Sequence, residues 1–144
     1  MRIYLDVCSF NRPFDDQLQL RIRLEAEAKL KIQEEIRARK IELVWSYILD
    51  YENAKNPYPE RKLRISGWRD YARMEVQEST ELLASASTLH KEGLPKLDSL
   101  HLACAITAGC EYFITTDDRI LKCKPRVTAI NIADPILFIK ERGL

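Results

Sequence analysis

What this chain lacks narrows it first. None of its four cysteines forms a CxxC pair, and only two histidines are present. A structural zinc site draws on closely spaced Cys and His, so none is expected. Cys8, Cys104, Cys110 and Cys123 read instead as small buried residues with free thiols. No apolar run approaches the roughly 20 residues that a membrane-spanning helix needs, and no membrane association is expected. The opening MRIYLDVCSF is a poor secretory leader: its apolar stretch is short, Asp6 interrupts it, and no small-residue cleavage site follows. A cytoplasmic location is the expectation. An excess of either charge is missing too, since 23 Lys and Arg against 22 Asp and Glu leave a formal charge of +1. That argues against strong general affinity for polyanions, while leaving room for a local basic strip. There is no internal repeat and no low-complexity segment.

What is present describes an ordinary globular domain. Hydrophobic residues make up 46% and charged residues 31% of 144 positions, enough for one domain, 1–144, with a real core. RIYLDV, residues 2–7, is β-branched and apolar and reads as a buried strand ending near Asp6. NRPFDD is a loop broken by Pro13. Residues 17–40 alternate leucine and isoleucine with polar residues, as a strand does. Their Glu, Lys, Arg, Ala and Leu content favours a helix, as do the pairs Glu25–Lys29 and Glu27–Lys31 and a capping box of Asp16 with Gln19. The run is also too long for a strand, so a long helix is expected. IELVWS (41–46) is a second strand and YILDYENAK a short helix that stops at NPYPE. Two helices follow, over 61–74 and 79–90. KLDSLHLACAITAG is a largely apolar helix ending at Gly109. EYFIT is a third strand, DRILKC a short helix, RVTAIN a fourth strand, and DPILFIKER a last helix with Asp134 as N-cap and Pro135 at its first position. Strands alternating with helices predict a three-layer α/β/α sandwich with a central parallel sheet.

Open parallel sheets bind ligands beyond the carboxyl ends of their strands. Asp6 ends the first strand and Asp117 the third. Glu52 lies on the helix after the second strand, and Asp98 opens the apolar helix before the third. A cap or a first-turn acid accounts for Asp98 on its own. Asp6 has no obvious cation nearby, and a buried carboxylate needs a partner. Acids converging without matching cations repel one another, and a divalent metal relieves that. Hard oxygen ligands favour Mg2+ or Mn2+, which support phosphodiester hydrolysis. His101, one helical turn from Asp98, reads as a packed histidine bonded to a neighbour. Asp118 reads as the N-cap or first-turn acid of the short helix, leaving Asp117 to the metal. Trp45 and Trp68 read as core, while Tyr47, Tyr51 and Tyr58 offer stacking surfaces that nothing sets apart.

Taken together, RIYLDVCSFNRPFDD, WSYILDYEN and KLDSLHLACAITAGCEYFITTDDRIL resemble the PIN-domain family, in the same order and over most of the chain, from Met1 to about Ile132. The family includes metal-dependent ribonucleases and the VapC-like toxins of bacterial toxin–antitoxin pairs. The resemblance implies a PIN-like fold and a four-acid catalytic site of Asp6, Glu52, Asp98 and Asp117, with Asp50 in the same helix as Glu52 competing for the second position. It implies Asp6, Asp98 and Asp117 as metal ligands for Mg2+ or Mn2+, and Thr115 as a supporting residue. Ser9 and Arg12, in the segment after Asp6, are substrate-binding or supporting candidates. The implied reaction is endoribonucleolytic hydrolysis by a metal-activated water. RNA is then the substrate, with an antitoxin protein and a second copy in a homodimer as partners. Two competing readings remain. One is a non-catalytic PIN-like module that binds RNA or protein. The other, an aspartate-nucleophile phosphoryl-transfer domain, wants a second acid two residues after Asp6, where Cys8 stands.

Overall fold

A computed structural model describes residues 1–144. Five strands form one sheet: β1 (Arg2–Leu5), β2 (Glu42–Ser46), β3 (Ala72–Val76), β4 (Tyr112–Ile114) and β5 (Asn131–Ala133). All adjacent pairs are parallel, in the order β3-β2-β1-β4-β5. Eight helices surround them: α1 (Val7–Asn11), α2 (Leu20–Arg37), α3 (Tyr47–Ala54), α4 (Pro59–Gly67), α5 (Thr80–Lys91), α6 (Lys96–Thr107), α7 (Asp118–Leu121) and α8 (Pro135–Arg142). Consecutive central-strand residues Ile3, Tyr4 and Leu5, and Leu43, Val44 and Trp45, are all completely buried. A sheet covered on one face would alternate buried with exposed, so both faces are covered. Packing of α2 on α8, and of α5 on α6, supplies the covering layers. The expected three-layer α/β/α sandwich, with a PIN-like arrangement, is the observed fold.

Strand order places the site. From β1 the chain steps to β2 and then β3 on one side, while β4 and β5 lie on the other. The connections therefore diverge between β1 and β4, leaving a crevice at their carboxyl ends. Asp6 follows β1 directly, and Thr115–Asp117 follow β4.

Several elements differ from the expectation. The chain over 61–74 is not one helix. It ends helical structure at Gly67, makes a 3-10 turn over Trp68–Tyr71 and enters β3, so there are five strands and not four. ARMEV has little intrinsic strand preference, and its middle is exposed; pairing with β2 decides its state. The fourth expected strand begins only at Asn131, since Lys124–Arg126 form a 3-10 turn. The supposed loop after Asp6 contains α1 and a 3-10 turn over Arg12–Phe14. Asp134 caps α8 as expected, its Oδ1 accepting from the Leu137 N–H at 2.7 Å.

α2 is the long helix, shorter than expected and without the capping box: Gln19 makes no side-chain cap, and Asp16 instead accepts from Leu18 N–H at 3.0 Å. Its buried face is Glu25, Ala26, Lys29, Ile32, Gln33 and Ile36, a helical period, while Leu20, Leu24 and Leu30 face outward. The expected pairs of Glu25 with Lys29 and Glu27 with Lys31 do not form. Glu25 meets Arg12 and Arg21, each at 3.3 Å, and Lys31 meets Glu34 and Glu35, each at 3.1 Å. Lys29 is fully buried, its Nζ 4.6 Å from the centre of the Phe10 ring and 5.4 Å from that of Trp68. Gln33, with its amide oxygen turned inward, accepts from both Lys29 and Trp68 Nε1. Burial, reinforced by Arg37, holds the Lys29 ammonium well below the ordinary lysine range. Cation–π attraction of about 0.5–2 kcal/mol opposes this, but desolvating an ion costs several kcal/mol, so the burial term dominates.

Lys29→Met is expected to raise the urea midpoint at pH 7, because it removes an ionisable group that folding must desolvate. The unfolded chain binds a proton here that the folded chain releases. Wild-type stability should therefore climb as pH rises toward the free lysine value near about 10.4, and the variant should lack that rise. Urea melts across alkaline pH measure both.

Candidate metal centre

Asp6 is buried at the seam between β1 and α1, and its carboxylate does local work first. Oδ1 accepts from Val7 N–H at 2.7 Å, capping α1. Oδ2 accepts from Thr115 Oγ1 at 2.9 Å and from Cys8 Sγ at 3.3 Å. Sequence reasoning found no cation to pair with Asp6; the partners are an N–H, a hydroxyl and a thiol, neutral donors from two strand ends. Burial raises the Asp6 pKa, and the negative charge of Glu52 adds to it, against the pull of His101, Thr115 and Cys8.

Glu52 reaches the same place from α3. Ligand atoms of Asp6, Glu52 and His101 all lie within 4.8 Å of one another. His101 is an orienting partner in this trio. Its Nε2 meets Glu52 Oε1 at 2.8 Å, and its Nδ1 meets Tyr4 Oη at 2.6 Å. A carboxylate only accepts, so Nε2 carries the proton in that bond and is not free to bind a metal. Tyr4 Oη in turn meets Ser46 Oγ at 2.6 Å, and Ser46 accepts from Leu49 N–H to cap α3. The helix cap and the position of Glu52 are thus linked through one buried chain. Burial pulls the His101 pKa down, but the Glu52 hydrogen bond and the charges of Asp6, Glu52 and Asp98 outweigh it, and the net shift is upward. Asp50 points elsewhere, accepting from Trp45 Nε1 at 2.9 Å and lying 3.7 Å from Arg69. Of the two acids competing for this position, Glu52 is the one beside Asp6.

Asp98 sits in the first turn of α6, and its Oδ2 is buried without any hydrogen-bond partner. Its pKa is pushed up to about 6, by burial first and then by the negative charges of Asp6 and Asp117. A buried carboxylate oxygen with no donor, near other acids, is free to accept a cation. The donor set is carboxylate oxygen, which suits a small hard divalent ion. Asp6 and Glu52 fit such an ion, and Asp98 is close enough to Asp6 for their charges to interact.

Asp117 is placed differently. It is the N-cap of α7, its Oδ1 accepting from Arg119 N–H at 2.9 Å, while Oδ2 meets the Arg119 guanidinium at 2.9 Å. Arg119 holds its carboxyl below the ordinary range. Asp118 is the first-turn acid, one of the two structural places expected for it, and binds Arg21 at 2.7 and 2.9 Å, while the cap itself is made by Asp117. Asp118 is spaced to meet a cation from α2, a contact invisible in local sequence. Thr115 Oγ1 accepts from Asp117 N–H at 3.0 Å while donating to Asp6, tying the two strand ends together. Ser9 and Arg12 spend their side-chain bonds on groups other than Asp6, Glu52 and Asp98. Ser9 Oγ donates to the Ile114 carbonyl at 3.2 Å, and Arg12 is committed to Asp15 and Glu25 at 3.1 and 3.3 Å.

No family model matches the chain, and no curated protein matches it. Solved structures do. VapBC2 from Rickettsia felis, bound to a DNA fragment from its promoter, superposes with a TM-score of 0.58 at 13% identity, covering 93% of this chain and 98% of the other. DNA-bound VapBC from Salmonella typhimurium gives 0.57 at 18%, covering 94% and 98%. VapBC-1 from nontypeable Haemophilus influenzae gives 0.55 at 17%, also covering 94% and 98%. At these identities the likeness is one of fold, and it agrees with the PIN-like arrangement.

In the metal-free protein the raised Asp98 pKa makes the folded state bind a proton that the unfolded state has lost, between about pH 4 and 6. Its stabilising contribution is present below that window and lost as pH rises through it. Asp98→Asn should therefore raise the thermal midpoint at pH 7 in chelator and change it little at pH 4, as read by calorimetry at the two pH values.

Proposed function

We propose that this protein is a metal-dependent endoribonuclease of the VapC-like type, acting as the toxin of a toxin–antitoxin pair. The observation that carries the reading is the approach of Asp6 and Glu52 at the switch point of a sheet with the fold of VapBC structures, with the unpartnered Asp98 oxygen near enough to Asp6 to feel its charge. Origin of those relatives in VapBC assemblies supports an antitoxin protein as partner. No helix is long and apolar enough to cross a membrane.

Asp6, Glu52 and Asp98 would hold Mg2+ or Mn2+, with Asp117 able to join them if it leaves Arg119. When bound, such an ion lowers the pKa of water and offsets negative charge developing on a phosphodiester. The chain's own residues prepare the place. Thr115 fixes Asp6, and the Tyr4–His101 pair fixes Glu52. Both are buried supports, so the carboxylates need little reorganisation when a cation arrives. Arg119 is largely exposed beside Asp117, and its guanidinium suits a phosphate oxygen of the RNA backbone.

Asp6→Asn and Asp98→Asn are each expected to lower magnesium- or manganese-dependent cleavage of single-stranded RNA by at least about a hundredfold, the scale of losing a metal ligand or its support. Asp50→Asn should leave cleavage within about twofold of wild type, because its carboxylate faces Trp45 and Arg69. Cleavage assays with a chelator control, alongside calorimetric titration of manganese, test this. Full activity in Asp6→Asn, or no divalent binding by the wild type, would sink the nuclease reading in favour of a non-catalytic binding module.

A further inference from the structure

Beside the acids, α3 and α6 bound a second feature. A cleft of about 470 Å³ lies between them, lined among others by Tyr47, Tyr51, Lys55, Lys96, Leu97 and Leu100. Its size falls in the usual range of small-ligand pockets, roughly 300–1,000 Å³. Tyr47, Tyr51 and Lys55 recur every fourth residue along α3 and so form one stripe. Tyr51 is half exposed, at 52%, although it is aromatic. Lys55 donates to Tyr51 Oη at 2.7 Å and sits 4.2 Å over the ring, which orients the phenol. The phenol oxygen of Tyr47 is buried with no partner. The only charged residues lining the cleft are lysines. Tyr51 is next to Glu52 in α3 and Leu97 is next to Asp98 in α6, so the cleft and these acids share the same two helices.

We infer that this cleft is a nucleotide subsite for single-stranded RNA, in which a base adjoining the scissile phosphodiester stacks on Tyr51 while Lys96 meets a backbone phosphate. The inference rests on the ribonuclease reading and adds to it a place for the substrate. A planar base needs one ring face, and Tyr51 is half exposed. Stacking on an aromatic side chain tolerates any base, because every base has a π-face, and cationic neighbours track the backbone. The acids repel a polyanion, so the chain needs cations next to them to hold it, and this patch supplies two. A second copy of the protein is a poorer occupant. A twofold contact would bury Lys55 and Lys96 of both copies in one interface, with no acid among the residues that line the cleft.

The test titrates a short fluorescein-labelled oligouridylate into the full chain by anisotropy, in chelator and in magnesium, with gels to confirm an intact probe. Cleavage and sedimentation are measured alongside. Tyr51→Ala, at an exposed position, should weaken binding about tenfold or more, the scale of losing one stacked base, while Tyr51→Phe keeps wild-type affinity. Lys96→Gln should weaken binding and make it less dependent on salt. A probe made abasic throughout should bind wild type and Tyr51→Ala alike. Equal affinity of wild type and Tyr51→Ala for the intact probe overturns the inference, as does a wild type that binds no RNA. So does a Tyr51→Ala change that turns a dimer into a monomer without altering RNA affinity, since a second copy then fills the cleft. Binding with this Tyr51 dependence but no cleavage in any divalent ion keeps the subsite and removes the nuclease.

Discussion

One hydrogen bond joins the two halves of this molecule's chemistry: Thr115 Oγ1 to Asp6 Oδ2, 2.9 Å, just beyond the carboxyl ends of the paired strands β1 and β4. The sheet diverges there, and a buried carboxylate at a divergence needs donors that do not neutralise it. Neutral donors meet that requirement. A guanidinium in their place would satisfy Asp6 and also discharge it, leaving nothing for a metal. The same hydroxyl accepts from Asp117 N–H, so the geometry of the β4 end is set by the acid at the β1 end.

The second support works at longer range. Ser46 caps α3, Tyr4 from the central strand links Ser46 to His101, and His101 presents its Nε2 proton to Glu52. Each bond joins a different element, so the position of Glu52 depends on β1, β2 and α6 together. Asp98 has no such partner for its Oδ2, and its burial and repulsion by Asp6 and Asp117 outweigh the pull of His101 and Arg119. Two carboxylates held by neighbours, with a third whose oxygen is unmet, concentrate negative charge at this end of the sheet. The fully buried Lys29 on the other side of β1 is a separate tension, stabilised by aromatic faces and one amide in place of a counter-ion.

The two ends of Tyr112–Leu121 show how far local reading reaches. A strand followed by a short helix was legible, since an apolar triplet runs into polar residues and then an apolar pair. The separate roles of Asp117 and Asp118 were not. Both are adjacent acids at a helix start, and either can cap. The choice fell to Arg21, 97 residues back along the chain, which takes Asp118, and to Arg119, which takes Asp117. Likewise, Ser9 and Arg12 follow Asp6 closely in sequence, yet α1 turns them toward Ile114 and Glu25. In α2, alternating leucines were conspicuous but are exposed, while Glu25 and Lys29 are buried, because the face a helix buries is chosen by the sheet beneath it.

The sequence by itself determined the alternation of strands and helices, hence a parallel sheet covered on both faces, and it determined which acids stand at strand and helix ends. Those are local properties: hydrophobic period, turn residues and the preference of carboxylates for helix starts. Only the tertiary structure decided that there are five strands, since β3 is a strand by virtue of its pairing with β2. It alone decided that Glu52 rather than Asp50 stands beside Asp6, because the two differ by two residues on one helix and therefore face opposite ways. It also decided that His101 holds Glu52, and that Arg119 restrains Asp117. Each of these depends on which side chains meet across elements far apart in the chain, and no local pattern records that.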